Sequence, residues 1–220
     1  MTFDWFLQGI ISAFIAWVVP KILDGVLTRA GSEGNGRGEL EKDFPWVRWC
    51  IAHSIGGGVG GFLSGALGVV GLATPGGIGN WAIFGIAIGI SQWLVLRRHL
   101  HLGPFWAVSS AVGWSIWSTF QAAHAPGPFG WSAVGLSVGI LQWLILRRSR
   151  NRAVWWIPAN LIGWLVAGTL GWALGMSLLE ARVSPPVAWV LGWAFVGLAA
   201  SLVLGWGLRR TSAKSSGAAT

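Results

Sequence analysis

Long apolar runs separated by short polar interruptions dominate the chain, and seven of them approach the roughly 20 residues that a helix needs to cross a bilayer. They cover 3–27, 46–72, 79–97, 104–122, 130–147, 153–178 and 187–208. The first holds Pro20, Lys21 and Asp24, which confines its apolar part to 3–19, so it either spans or lies in the interface. The pattern predicts an all-α integral membrane protein, a seven-helix polytopic bundle made of one N-terminal helix and three quasi-repeated hairpins. The expected divisions are a membrane helix at 1–27, a Gly-rich cytoplasmic linker at 28–45, hairpins at 46–98, 99–148 and 149–210, and a disordered tail at 211–220.

The hairpins come from an internal repeat. Gln92-Trp93-Leu94-Val95-Leu96-Arg97-Arg98 returns fifty residues later as Gln142-Trp143-Leu144-Ile145-Leu146-Arg147-Arg148, and the same offset maps Gly85 to Gly135, Gly89 to Gly139, Trp106 to Trp156 and Gly113 to Gly163. A degenerate third copy ends at Trp206, Arg209 and Arg210, and aligning it on Trp206 puts Gly205 where the glutamine stood. Trp49 to Gly56, Trp106 to Gly113 and Trp156 to Gly163 are each seven residues apart, two turns on one helix face. Each hairpin therefore descends from a Trp, turns, and returns to its arginines, which makes the repeats parallel about an axis along the membrane normal.

Charge sets the orientation. Fourteen of the 15 Lys and Arg fall on the side of the C-terminus and only Arg182 on the other, which predicts a multi-pass protein of a bacterial inner membrane with a cytoplasmic C-terminus. Trp93, Arg97, Arg98, Trp143, Arg147, Arg148, Arg209 and Arg210 are expected as interfacial anchors, joined in an inner belt by Trp106 and Trp156. Only 10% of the residues are charged, too few to wet the surface of a soluble domain. A sequence pI near 11.5 does not indicate nucleic acid, because the arginines sit singly or in pairs at the ends of apolar runs. Cys50 is the single cysteine, which excludes an internal disulfide or a Cys-rich metal site.

Polar groups at depth are few. No Asp, Glu, Lys or Arg occurs in the middle of the second to seventh runs, which argues against a proton-coupled transporter, a charge-relay pump or a voltage sensor. Gln92 and Gln142 lie five residues before their arginines, roughly 7–8 Å deeper at the helical rise. His53, Ser110 and Asn160 each follow a Trp by four residues and fall at a matching depth, so the five are expected to form one polar layer that locks the hairpins. Gly57, Gly61 and Gly65, Gly85 and Gly89, and Gly135 and Gly139 are spaced by four and expected to form flat packing stripes. His53, beside Gly56, Gly57 and Gly58, is also placed to ligate a haem or chlorophyll metal. Catalytic spacing is absent: there is no Ser/His/acid set, no zinc-ligand spacing and no phosphate loop with its lysine.

The Gln-Trp-Leu-x-Leu-Arg-Arg segment and the Ala-Asn-x-x-Gly-Trp at Ala159 to Trp164 resemble tandem membrane repeats of poorly characterised bacterial proteins, over roughly residues 80–172. In some of those proteins similar repeats follow soluble signalling or scaffold domains, and the family brings no assigned activity or site residues. The expected function is a non-enzymatic membrane anchor or assembly module that packs through its Gly faces. Its partners would be membrane lipids and either a second copy or another membrane protein, with no nucleic acid, metal or cofactor. The alternatives are a pore or permeability effector, and a tetrapyrrole-binding subunit using His53.

Overall fold

A computed structural model of the chain describes residues 44–69, 77–100, 102–122 and 127–213. It is mostly helical: α1 (Trp46–Val69), α2 (Ile78–Leu96), α3 (Phe105–Ser115), α4 (Trp117–Ala122), α5 (Pro128–Leu146), α6 (Trp156–Glu180) and α7 (Pro185–Arg209). Five of these, α1, α2, α5, α6 and α7, are long and apolar enough to cross a membrane. The run expected as one span at 104–122 holds α3 and the short α4, separated by Ile116 alone, whose backbone stays right-handed helical (φ −64°, ψ −24°). The helix expected over 3–27 and most of the linker lie outside the described residues.

Each long helix packs on its neighbours in the chain, and α7 packs back on α1, so the elements close a ring in sequence order. Short connections between antiparallel helices favour this order. Glycine sets how tightly the ring closes. A Cβ on Gly85 would stand 2.5 Å from the Ser110 carbonyl oxygen, and one on Gly135 would stand 2.5 Å from that of Asn160. One on Gly197 would collide with the His53 carbonyl. Three seams, α2 on α3, α5 on α6 and α7 on α1, thus rest on backbone meeting backbone at equivalent points.

These equivalences correct the alignment of the third copy. An offset of 62 takes Trp131 to Trp193, Gly135 to Gly197, Leu146 to Leu208 and Arg147-Arg148 to Arg209-Arg210 with no missing residue, and it takes Gln142 to Leu204 rather than to Gly205. Leu204 is fully buried like Gln92 and Gln142, whereas Trp206 is 45% exposed. The Trp in the two motifs misleads the eye here, because burial follows the inward face and not the aromatic letter.

Indoles fill one level of the ring. Trp114 on α3 meets Trp193 on α7, Trp164 on α6 and Trp131 on α5, while Trp81 on α2 stacks on Trp114 at 5.9 Å and meets Trp193 at 5.6 Å. These contacts join helices that are not ring neighbours, so the aromatic cluster occupies the centre. Outward-facing positions such as Ile86, Ile90, Leu136, Ile140, Leu170 and Leu198 are exposed and apolar, as lipid-facing residues are. A two-residue antiparallel pair, β1 (Arg150–Asn151) with β2 (Ser212–Ala213), ties the end of the described chain to the connection between the second and third hairpins.

Candidate functional site: a polar layer inside the ring

Below the indole cluster, toward the arginine-bearing end, His53, Gln92, Ser110, Gln142 and Asn160 are all fully buried. Four of them join one hydrogen-bonded network. Gln92 Oε1 accepts from Trp106 Nε1 at 2.9 Å and from Gln142 Nε2 at 3.0 Å. An indole nitrogen only donates, which fixes which end of the Gln92 amide is oxygen. Gln92 Nε2 therefore faces His53 Nε2 at 3.0 Å as the donor, and His53 Nδ1–H donates to the Trp49 carbonyl at 3.0 Å. The imidazole is neutral, with its proton on Nδ1.

Gln142 repeats the arrangement one hairpin on. Its Oε1 accepts from Trp156 Nε1 at 3.0 Å, and its Nε2 donates to Ser110 Oγ at 2.9 Å as well as to Gln92. Ser110 Oγ in turn donates to the Trp106 carbonyl at 3.3 Å. Asn160 stands beside the network without a direct bond to either glutamine. Its Nδ2 donates to the Trp156 carbonyl at 2.9 Å and its Oδ1 accepts from Trp164 Nε1 at 3.1 Å. Leu204, at the third glutamine position, offers it no partner.

Four of the five residues expected in one layer thus share a network, and its indole donors were expected elsewhere. Trp106 and Trp156 were expected in the interfacial belt, yet both are fully buried and serve the two glutamines. Trp49 is their equivalent in the first hairpin and donates to the Ser201 carbonyl at 2.9 Å. The seven-residue Trp–Gly spacing was the signal that could have found this, since it puts all three Trp on the face that turns inward.

The remaining residues expected as anchors gather at one end of the bundle. Arg97, Arg98, Arg147, Arg148, Arg209 and Arg210 are exposed at the end of the bundle where α2, α5 and α7 finish. Arg97 lies over Trp93 at 5.0 Å, Arg147 over Trp143 at 5.1 Å and Arg210 over Trp206 at 4.8 Å, which holds cation and ring together at one level.

The glycine stripes face inward rather than toward partners. Gly57 abuts the Trp193 carbonyl and Gly61 the Trp193 ring; Gly85 and Gly89 abut α3; Gly135 and Gly139 abut α6. Gly65 alone among the seven has open space beside it. Six of the seven thus serve as helix-packing positions within the chain's own ring. The flat surface foreseen beside His53 is filled the same way: Gly56 lies against Ser91, Gly57 against Trp193 and Gly58 against Ala194. With both ring nitrogens bonded and this surface covered, a metal could reach His53 only by displacing Gln92.

One region stays unsatisfied. Asn80 Oδ1, Trp114 Nε1 and Trp117 Nε1 are buried with no hydrogen-bond partner, and the two indoles flank Ile116. No group of three or more His, Cys, Asp or Glu that would hold a metal is found among the described residues. No family model, curated protein or solved structure matches the chain.

Proposed function

We propose that the chain is a non-enzymatic membrane module, an anchor or assembly unit of a bacterial inner membrane, built as three repeated hairpins with the arginine-rich end in the cytoplasm. One observation carries this reading: every polar side chain of the central layer is bonded to another member or to a backbone carbonyl, which leaves none to engage a substrate. Such a network fixes register and hairpin order. Because six of the seven packing glycines are spent internally, a partner or second copy would meet the outward apolar faces instead. The test is to purify the protein from its native membrane in mild detergent, measure the mass of the particle, and reconstitute it in dye-loaded liposomes. A colourless particle larger than one chain that leaves the liposomes sealed is expected; dye release or a visible absorption band would overturn the reading.

A pore is the second reading, and a single feature favours it. A helix interrupted at membrane depth is tolerated where it is buried in protein or lines a wet cavity. Trp114 and Trp117, which flank Ile116, are the described residues with unpartnered buried side-chain nitrogens. Opening would require the central indoles to part, so Trp114→Ala would raise leakage if this reading held.

A further inference from the structure

Among the described residues Arg150 is a buried guanidinium without an anion. It is 7% exposed, and it donates Nε–H to Thr211 Oγ1 at 3.1 Å and Nη2–H to the Thr211 carbonyl at 2.7 Å. Both acceptors are neutral. Among the described residues the sole carboxylate belongs to Glu180, at the far end of α6, some 37 Å away at about 1.5 Å per residue. Desolvation works against the charge and lowers the Arg150 pKa from its ordinary value, but a guanidinium remains ionised at neutral pH. A charge taken from water without a counter-ion costs free energy that an anion would restore.

The surroundings of Arg150 supply the rest of an anion site. Pairing of β1 with β2 sets Arg150 against Ala213 and Asn151 against Ser212, and Arg210 caps the C-terminus of α7 immediately before the Thr211 that Arg150 holds. Arg148 and Arg152 lie two residues to either side, and both are exposed, as is Arg210. The level in the membrane is marked by two aromatic rings. Trp155 and Trp206, 44% and 45% exposed, meet edge to face at 6.2 Å, and Arg210 lies over the second. Exposed indoles with arginine above them mark the depth of glycerol and phosphate.

We propose that Arg148, Arg150, Arg152 and Arg210 bind the phosphate of an anionic phospholipid headgroup, with Trp155 and Trp206 against its glycerol backbone. Guanidinium groups match a phosphodiester with paired N–H donors. Four of them repel the quaternary ammonium of a choline headgroup, so the site selects net negative lipid. Occupancy would bridge the α5–α6 connection to the end of α7.

The experiment measures thermal melting of the full chain in dodecyl maltoside, with phosphatidylglycerol, phosphatidylcholine or inorganic phosphate added at equal phosphate concentration. Phosphatidylglycerol is expected to raise the melting temperature by roughly 5 °C or more over phosphatidylcholine, with inorganic phosphate inert. Arg152→Gln with Arg210→Gln should remove most of that rise, and Arg182→Gln, at the opposite end, should keep it. Where the double variant fails to accumulate, Arg152→Gln alone should lose about half of the rise. A rise that survives these variants, an equal rise with inorganic phosphate, or no difference between the lipids would each overturn the site. Liposome leakage would overturn the anchor reading without moving this lipid preference.

Discussion

At the α2–α3 seam the Trp106 indole reaches the Gln92 amide, and at the α5–α6 seam Trp156 reaches Gln142 in the same way. At the α7–α1 seam, which closes the ring, Trp49 finds Leu204 in the glutamine's place and donates to the Ser201 carbonyl instead. The position equivalent to Gly89 and Gly139 is Ser201, whose hydroxyl bonds the Leu198 carbonyl at 2.6 Å and lies 3.1 Å from Cys50 Sγ. The closing seam has therefore lost its side-chain amide and retained its backbone approach, with Gly57 on Trp193 and Gly197 on His53. The difference teaches that the invariant part of this ring is steric. An indole donor must be satisfied, but a carbonyl serves as well as an amide.

The largest effect is expected where that steric part is violated. In Gly197→Leu the new Cβ would meet the His53 carbonyl, a backbone atom that cannot swing aside, and α7 would have to leave α1. Overpacking typically costs about 1–3 kcal/mol, and more where backbone blocks backbone. We expect the folded particle to be lost on size-exclusion chromatography. Gly61→Leu, against the Trp193 ring, should follow the same course, whereas Gly65→Leu should elute and melt like the parent because nothing lies within 4 Å of that position.

Next come the glutamines, which should not be equal. Gln92→Leu strands Trp106 Nε1 and His53 Nε2 and removes one acceptor of Gln142. Gln142→Leu strands Trp156 Nε1 alone, since Ser110 and Gln92 retain other bonds. A stranded buried group costs about 1–3 kcal/mol, while hydrogen bonds in membrane proteins average ~0.6 kcal/mol. The expected losses are about 2–4 kcal/mol for Gln92→Leu and about 1–2 kcal/mol for Gln142→Leu. Equal melting temperatures in the two variants would contradict the hub role of Gln92.

The reciprocal change sharpens the comparison. Leu204→Gln places an amide where Trp49 and Asn160 both lack one, so a substitution that ordinarily buries an unpaired polar group should here cost less than about 1 kcal/mol. Loss of the fold in Leu204→Gln, with Leu204→Met tolerated, would show that the third seam has no room for the layer.

How far the sequence could be read follows from the same residues. The limits of the described long helices and the grouping of Gln92, Gln142, His53, Ser110 and Asn160 were legible, because apolar run length and distance from the arginines encode both. Facing was not legible. In a helix that is apolar all round, no polar face shows which neighbour a glycine meets, so Gly57 and Gly85 read as packing stripes without a partner and Trp106 as an interfacial ring. The interruption at Ile116 carried no signal either, as no Pro or Gly marks it. Arg150 was hidden among its neighbours: Arg148, Arg150 and Arg152 look alike in sequence, and only the pairing of β1 with β2 buries the middle one.

The smallest effect separates the two inner connections between hairpins. His99 occupies the first where Ser149 occupies the second, fifty residues on. Its pKa is lowered from 6.5 by partial desolvation and by the nearby positive charges of Arg48 and Arg98. A histidine depressed in the folded state binds protons less readily there than in the unfolded chain. Its neutral form is therefore favoured above pH 6.5, and stability falls as the pH drops below that value toward the folded pKa. The side chain is partly exposed, so screening keeps the change small, roughly 1–2 °C between pH 7.5 and pH 5.5. In His99→Gln this part of the acid sensitivity should disappear. The His99→Gln variant should then melt less steeply with falling pH than the parent, and parallel curves would place the sensitivity outside the first connection.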